Sequence, residues 1–282
     1  VSCLVGSEMC IRDRAGADSE LRAGQYDLLT GMSNDDVITV LMRGPVVDSY
    51  WITVQEGLRI GEVLERISEQ TVFTVPDLEA VLLDGSVETS LLPGGQPETL
   101  QEWEGLLFPD TYEFLTESGP EVVLGLLART MENRVAAIDW SDLEAAGYTP
   151  YEGIVIDSLI ESETRVDIDR VLVSAVVWNR LHIDMSLQID ATVLYALVES
   201  LSGLTLADLE VDSPYNTYLQ PGLPPTPIGG PGKASLEAAA APADVDFLFY
   251  VLTSLDGNHS FTADYNEFLN FKNQAKEDGV LP

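Results

Sequence analysis

The stretch from Thr149 to Thr164, TPYEGIVIDSLIESET, constrains the fold most, because it encodes a helix with a defined start and an acidic end. Thr149 is placed to cap the helix, and Pro150 suits the first helical turn. Glu152 completes a Thr-x-x-Glu capping box with Thr149. The pattern therefore predicts a helix from Pro150 to Glu163.

The two glutamates at the end of this helix fall on different faces, since residues three and four apart share a face. Glu163 follows an apolar stripe made of Ile156, Leu159 and Ile160. Glu161 lies on the stripe of Ile154, Asp157 and Ser158. Ionising a carboxylate on an apolar stripe is costly, so we expect a raised pKa at Glu163. A raised pKa suits a general acid near neutral pH. The alternative is an edge glutamate that reaches solvent and has no catalytic role.

The composition indicates a globular chain and excludes some partners. With 282 residues, 45% of them hydrophobic, the chain can form one large or two modest domains. The net charge of −33 argues against nucleic acid or an anionic membrane surface as a partner, because both would repel it. No run of 18 apolar residues occurs, so no membrane-spanning helix is predicted within this chain.

The first fourteen residues, VSCLVGSEMCIRDR, differ in character from the rest and resemble a translated sequencing adapter. We therefore set residues 1–14 aside as a non-native segment. Both cysteines, Cys3 and Cys10, lie in it. A disulfide framework or a cysteine zinc site is then excluded for the remaining chain. His182 and His259 match no triad or metal motif, so neither a metal nor an organic cofactor is expected.

An α+β fold in two parts is predicted from the order of the elements. Residues 15–98 should form a small module, and the Pro- and Gly-rich segment Leu92–Pro97 is the linker candidate. The expected elements of this module are strands over Ala23–Leu28 and Tyr50–Val54, and helices over Ser33–Arg43, Gly61–Glu69 and Thr74–Gly85.

Residues 99–282 should form a mostly helical domain with a short β-hairpin. The expected helices cover Pro120–Ile138, Pro150–Glu163, Asp169–Leu181 and Ala191–Glu199, and a closing helix starts at Asp264. The hairpin should pair Phe247–Thr253 with His259–Thr262 around the turn at Asp256-Gly257. We expect Asp190 and Thr192 to cap the fourth helix, Asn179 and Arg180 to have structural roles, and Tyr250 to pack in the core.

Several segments together resemble the YceG-like family of endolytic murein transglycosylases. After the helix come VSAVVWNRLHIDMSLQIDATVLYAL, SPYNTY, GLPPTPIGGPG and GNHSF, in the order and spacing of that family. The upstream block WEGLLFPDTYEF resembles the start of its catalytic domain, and LRAGQYDL and VQEGLRIGEVLERI resemble its LysM-like region. The resemblance implies a LysM-like module followed by a lysozyme-like transglycosylase domain. The glycine pair Gly229-Gly230 departs from the small or polar pair usual in the family.

The resemblance also implies a reaction. The family cleaves the β-1,4 bond between N-acetylmuramic acid and N-acetylglucosamine within glycan strands and leaves a 1,6-anhydro end, so a single carboxyl serves as acid and then base. Glu163 would fill that role, with Glu161 as the runner-up. The implied substrate-binding residues are Thr164, Gln188, Tyr215 and Asn216, besides Glu161. His259 also matches a family position, although a structural hairpin role is favoured.

Two other functions remain open at this point. A non-catalytic glycan-binding scaffold would need only the LysM-like module. A water-using muramidase would need a second carboxylate near Glu163, for which Asp190, Asp212 and Glu161 are the candidates. Family members carry a membrane-spanning helix before the LysM-like region. We therefore expect an anchored native protein facing the periplasm or cell exterior, with peptidoglycan and the cell-wall synthesis machinery as partners.

Overall fold

The computed structural model describes residues 26–44, 48–197 and 204–281. These residues divide into two compact units. The smaller contains the described residues up to Tyr50 together with Glu113–Glu117, and the larger contains residues 51–112 and the described residues from 118 onward. The boundary predicted at residue 98 lies within the larger unit and remains a prediction.

The smaller unit contains the helix predicted after Ser33. Helix α1 (Asn34–Arg43) starts with a capping box between Ser33 and Asp36 and ends at Gly44. The strand predicted over Ala23–Leu28 is not confirmed: its first three residues lie outside the described ranges, and Tyr26–Leu28 are irregular. Leu28 is 49% exposed, and no described strand pairs with this segment.

The other predicted helices and strands are present in the predicted order with small changes at their ends. The helices are α2 (Ile60–Gln70), α3 (Val75–Leu83), α4 (Pro120–Ala136), α5 (Ser141–Ala145), α6 (Pro150–Glu163), α7 (Asp167–His182), α8 (Asp190–Ala196), α9 (Lys233–Ala240) and α10 (Tyr265–Glu277). Short 3-10 turns cover Leu100–Trp103 and Asp208–Glu210. The strands are β1 (Ser49–Thr53), β2 (Thr111–Leu115), β3 (Phe249–Leu252) and β4 (His259–Thr262). The two short helices α5 and α9, the strand β2 and the two 3-10 turns are additional to the predicted elements.

Two small sheets complete the described secondary structure. Strand β1 pairs with β2, and β3 pairs with β4 in the antiparallel hairpin that the sequence predicts. In the hairpin Tyr250 lies opposite Phe261, and Leu252 lies opposite His259. The helix-rich mixture with small sheets is consistent with the predicted α+β class.

Helix α6 is the central helix of the larger unit. It packs against α5, α7, α8 and α9. Its apolar side chains are fully buried, including Ile154, Ile156, Leu159 and Ile160. Burying a side chain of this size stabilises the fold by about 1.5–3 kcal/mol, so the position of α6 is strongly determined. Within the described residues, no helix has the length and apolarity needed to cross a bilayer.

The proline- and glycine-rich motif GLPPTPIGGPG forms a loop that is hydrogen-bonded to the chain after β1. The Gly57 backbone N–H donates to the Gly230 carbonyl, and the Gly230 N–H donates to the Leu58 carbonyl, each at 2.7 Å. A Cβ atom on Gly229 would lie 2.9 Å from the Gly57 carbonyl oxygen. The two backbones therefore approach too closely for a side chain at that position, which accounts for a glycine at 229.

Candidate active site

The C-terminal end of α6 presents Glu163. The helix starts with the predicted capping box: the Thr149 N–H donates to the Glu152 carboxylate at 2.7 Å, and Thr149 Oγ1 accepts from the Glu152 N–H at 3.3 Å. It ends at Glu163, because Thr164 leaves the helical conformation and its Oγ1 donates to the Ile160 carbonyl at 2.7 Å. Thr164 is buried, so it stabilises the helix end that carries Glu163.

Glu163 is partly buried and has one side-chain hydrogen-bond donor. The Tyr250 hydroxyl on β3 donates to Glu163 Oε2 at 2.9 Å. Burial raises the pKa of Glu163 to about 7, and the nearby charge of Asp190 adds to the rise. Tyr250, Arg180 and the Ala191 backbone N–H act in the opposite direction. The raised pKa predicted from the apolar stripe is confirmed, and it leaves the carboxyl able to gain and lose a proton near neutral pH.

Arg180 connects the two chain segments beside Glu163. Its Nε donates to the Leu248 carbonyl at 2.7 Å, and its Nη1 donates to the Leu187 carbonyl. The guanidinium is buried, and these bonds give Arg180 the structural role that the sequence predicts. Asn179 is structural as expected, since its amide donates to the carbonyls of Val245 and Phe247.

Gln188 follows the segment that Arg180 holds, and its side chain is exposed. Its backbone has a φ of 49°, in the left-handed region that non-glycine residues adopt at a cost of about 1 kcal/mol or more. The Gln188 N–H donates to the Thr217 carbonyl at 3.1 Å, which holds this conformation. The fold thus fixes the backbone of Gln188 and leaves its amide available.

Asp190 has a different role from the predicted helix cap. The Tyr218 hydroxyl donates to Asp190 Oδ1 at 2.5 Å, and Ile189 is the N-terminal cap of α8 without a side-chain bond. The capping prediction is therefore wrong for Asp190, because its carboxylate is turned to Tyr218. Thr192 also bonds inward, donating to the Ile189 carbonyl at 2.7 Å.

Tyr215 and Asn216 are both buried and bonded within the protein. Tyr215 shares a hydrogen bond of 2.7 Å with the Thr226 hydroxyl, and its ring lies 4.8 Å from that of Tyr195. The Asn216 amide donates to the carbonyls of Leu209 and Val211, and its oxygen accepts from the Tyr218 N–H. These bonds favour a role in shaping the wall of the site over direct substrate contact.

The opposite face of α6 carries a buried ionic cluster. Glu161 Oε2 accepts from Arg170 at 3.0 Å, from the Ser235 hydroxyl at 2.7 Å and from the Gly232 N–H at 3.2 Å. Asp157 is fully buried, and neither of its carboxylate oxygens has a hydrogen-bond partner. Burial, followed by the charge of Glu161, raises the pKa of Asp157 well above its usual value. The prediction that Glu161 and Glu163 lie on different faces of α6 is confirmed. The ion pair with Arg170 holds Glu161 in this internal network.

His259 belongs to the base of the hairpin. Its backbone N–H donates to Asp169 Oδ2 at 2.8 Å, and its Nδ1 lies 2.9 Å from the same oxygen. Its ring is edge-on to Tyr250, with centroids 5.6 Å apart. The expected structural role of His259 agrees with these contacts, whereas the assignment of Tyr250 to simple core packing is wrong because its hydroxyl reaches Glu163.

A second buried glutamate, Glu104, escaped the sequence reasoning. Its Oε1 accepts from the Ile60 N–H at 2.8 Å, and its Oε2 accepts from the Tyr195 hydroxyl at 3.0 Å. It is 1% exposed, and burial raises its pKa to about 7. Arg59 lies over the Tyr195 ring at 5.0 Å. The sequence signal for Glu104 is its place directly after Trp103 in the motif WEGLLFPDTYEF.

The opposite end of α6 borders a pocket of about 520 Å³ that includes Thr149, Pro150 and Tyr151. Its single carboxylate is Glu132, which already accepts from the Ser90 N–H at 2.6 Å. The same oxygen, Glu132 Oε1, also accepts from the Ser90 hydroxyl at 2.9 Å. The sequence motifs point to Glu163 and not to Glu132, so Glu163 is retained as the candidate acid. In the described ranges, no cluster of His, Cys, Asp and Glu side chains has the arrangement needed to hold a metal ion.

The described residues thus form a helix-rich fold in which the end of the central helix α6 carries the partly exposed Glu163. The model of the YceG-like family matches residues 5–274, and the chain belongs to this family. The match begins within residues 1–14, whose interpretation as an adapter remains a prediction.

Curated relatives and a solved structure agree with this membership. The chain is 33% identical over 272 residues to a Bacillus subtilis protein named endolytic murein transglycosylase, covering 92% of this chain and 73% of that protein. It is 27% identical to a Streptococcus pneumoniae protein of the same name, of which it covers 48%. A crystal structure of a yceG-like protein from Listeria monocytogenes superposes with a TM-score of 0.68, at 29% identity, over 94% of this chain and 89% of that one.

Proposed function

We propose that the chain is an endolytic peptidoglycan lytic transglycosylase in which Glu163 acts first as general acid and then as general base. The observation that carries the proposal is a partly exposed glutamate with a pKa of about 7 and one side-chain hydrogen-bond donor. The names of the relatives supply the substrate class, and the chemistry of a single carboxyl supplies the reaction type.

The proposed reaction consumes no water. Protonated Glu163 gives its proton to the glycosidic oxygen, the bond from C1 of N-acetylmuramic acid to that oxygen breaks, and N-acetylglucosamine leaves with a free 4-hydroxyl. The 6-hydroxyl of the same muramic acid then attacks C1 and returns its proton to the Glu163 carboxylate. The product is a 1,6-anhydro ring, and Glu163 is protonated again. A pKa near the working pH favours both transfers.

The neighbouring residues have supporting roles in this proposal. Gln188 is exposed and has a fixed backbone, so its amide is assigned to the N-acetyl or hydroxyl groups of the glycan. Tyr215, Asn216, Thr164 and Glu161 hold the walls and the helix end through internal bonds.

The assignment of residues 15–98 as a LysM-like module and of a membrane-anchored native protein belongs to the same proposal. It rests on the motifs LRAGQYDL and VQEGLRIGEVLERI. Peptidoglycan, the proposed substrate, lies outside the cytoplasmic membrane, where the cell-wall synthesis machinery acts.

A water-using muramidase is a second candidate, because Asp190 is close enough to Glu163 to raise its pKa. In that mechanism a second carboxylate activates water or attacks C1. The Tyr218 hydroxyl already donates to Asp190, which favours a supporting role for this carboxylate in the lyase. Products formed in ¹⁸O-labelled water separate the two, since only hydrolysis incorporates the label.

The test is mass spectrometry of products from purified peptidoglycan treated with the chain or with its Glu163→Gln variant. We expect internal cuts that end in anhydromuramic acid and disappear in the variant. Asp190→Asn is the matched control: it should retain anhydro products under the lyase mechanism. Labelled, hydrated ends would replace the lyase with a muramidase. An absence of cuts with the unaltered chain would contradict both and favour a glycan-binding scaffold.

A further inference from the structure

The contact between the hairpin and α6 has a consequence for how Glu163 works, given the proposed function. The Tyr250 hydroxyl donates to Glu163 Oε2 at 2.9 Å. Burial and the charge of Glu163 both raise the pKa of Tyr250 far above its usual value, so the hydroxyl keeps its proton. A hydroxyl has one proton to donate, and Tyr250 directs it at one of the two oxygens of Glu163.

Helix α7 holds this hairpin at two places. Near its start, Asp169 accepts from both the N–H and Nδ1 of His259, and Asp169 is 4% exposed. Near its end, Arg180 donates to the carbonyl of Leu248, directly before β3. The rings of His259 and Phe261 then lie 5.6 Å and 6.0 Å from the ring of Tyr250. The Tyr250 ring is thus fixed by the strand pairing and by its two aromatic neighbours.

We propose that Tyr250 is a positioning residue that engages Glu163 Oε2 and so directs the proton exchange with the glycan through Oε1, the oxygen that Tyr250 does not bind. The pair of His259 and Asp169 keeps the hairpin that carries Tyr250 in place. A carboxyl with two equivalent free oxygens would present its proton in several directions, whereas one engaged oxygen selects a single direction.

Four charged or polar side chains act on Glu163 from the elements around it. Tyr250 comes from β3, Arg180 from α7, Asp190 from α8, and Tyr218 from the following loop. The Ala191 backbone N–H in α8 also lowers the pKa of Glu163. A donor to the carboxylate favours the ionised form. Tyr250 therefore lowers the pKa of Glu163, whereas burial and Asp190 raise it. Removing the Tyr250 hydroxyl should raise this pKa further.

The test is the pH profile of the Tyr250→Phe variant, which removes one oxygen and keeps the ring contacts. The first step needs protonated Glu163, so activity falls as pH rises through the pKa of Glu163. We expect the basic limb of kcat/KM to move upward by about one to two pH units in the variant, as expected for the loss of a hydrogen bond to a charged group. Carboxyl ¹³C NMR titration of Glu163 should show the same shift without any substrate.

A second substitution moves the limb in the opposite direction. Fluorotyrosine at position 250 is a stronger donor of nearly the same shape, so it should lower the basic limb. Tyr112→Phe is the control: Tyr112 is buried, and its hydroxyl donates to the Phe108 carbonyl at 2.7 Å, so the limb should stay in place.

The outcomes separate this inference from the proposed function. If the unaltered chain makes anhydro products but Tyr250→Phe only lowers the rate, with the limb and the NMR titration unmoved, the positioning role is wrong and the transglycosylase remains. If the unaltered chain makes no such products, the proposed function fails, while the NMR titration still decides whether Tyr250 acts on Glu163.

Discussion

Glu163 and Glu104 have nearly the same immediate surroundings and, we infer, different roles. Each has a pKa raised to about 7 by burial. Each accepts from a tyrosine, Tyr250 for Glu163 and Tyr195 for Glu104. An arginine and a backbone N–H lower the pKa in both cases.

The difference between them lies in access. Both oxygens of Glu104 accept bonds from the protein, and the residue is 1% exposed. Glu163 is partly exposed, and its side-chain donor reaches Oε2. A shifted pKa identifies a buried carboxyl, whether structural or catalytic. Exposure of the carboxyl to substrate is what distinguishes a candidate acid, and of these two glutamates Glu163 is the partly exposed one.

The largest expected effect separates the two glutamates by activity. Glu163→Gln should lower kcat/KM for peptidoglycan by a factor of about 10² or more, because the proton donor is lost. Glu104→Gln should retain activity to within a few-fold at a temperature where both variants are folded. Product formation measured by chromatography checks both. Equal losses in the two variants would contradict the distinction based on access.

The second-largest expected effect is on stability, where substitution of Glu104 should cost more than substitution of Glu163. Glu104→Ala should lower the free energy of unfolding by about 2–3 kcal/mol, since it leaves the buried Ile60 N–H and Tyr195 hydroxyl without their partner. Glu163→Ala should cost less, because that site is partly exposed to water. Urea denaturation followed by circular dichroism measures both. A greater loss at Glu163 would mean that its carboxylate is a structural element.

Stability should fall with rising pH at both sites, and the fall should be larger at Glu104 than at Glu163. The folded-state pKa of Glu104, about 7, exceeds its usual value of 4.5, so the folded state binds the proton more tightly. Its contribution is fully present below pH 4.5 and is lost as pH rises to 7. We expect Glu104→Gln to remove a decline of about 2 kcal/mol over this window.

Urea midpoints at several pH values, compared with the unaltered chain, measure that difference. Glu163→Gln should remove a smaller part of the decline, because solvent screens a partly exposed group. A decline that steepens in Glu104→Gln would contradict the assigned direction of the shift.

The smallest effect concerns the two tyrosines. Tyr195→Phe should lower the free energy of unfolding by about 1 kcal/mol through the lost hydrogen bond and leave the pH profile of activity unchanged. It is the counterpart of Tyr250→Phe at the other glutamate. Thermal melts and kcat/KM profiles measure both properties. A moved basic limb in Tyr195→Phe would link Glu104 to the reaction.

Local sequence patterns predicted the elements of the site and left its assembly open. The capping box at Thr149 and the spacing of Ile156, Leu159 and Ile160 give both the bounds of α6 and the face of Glu163. These features depend on neighbours within a few residues. The hairpin at Asp256-Gly257 could also be predicted, because its turn residues and the alternation of its strands are local features of the sequence.

The contacts that define the chemistry join residues far apart in the chain. Tyr250 and Glu163 are 87 positions apart, and strand alternation cannot reveal which helix a side chain meets. Asp190 resembled a helix cap because aspartate at the start of a helix usually is one, but Tyr218 competes for its carboxylate. Glu104 gave no periodic signal, since it follows a short 3-10 turn.

The seam between Gly57, Leu58 and Gly230 consists of neutral backbone hydrogen bonds. In a chain with a net charge of −33, added salt screens the repulsion between surface carboxylates, but it has little effect on an uncharged seam. Acidic residues elsewhere on the surface can therefore be exchanged to suit a different ionic medium. Position 229 has no such freedom, because a single methyl group there would force the two backbones apart.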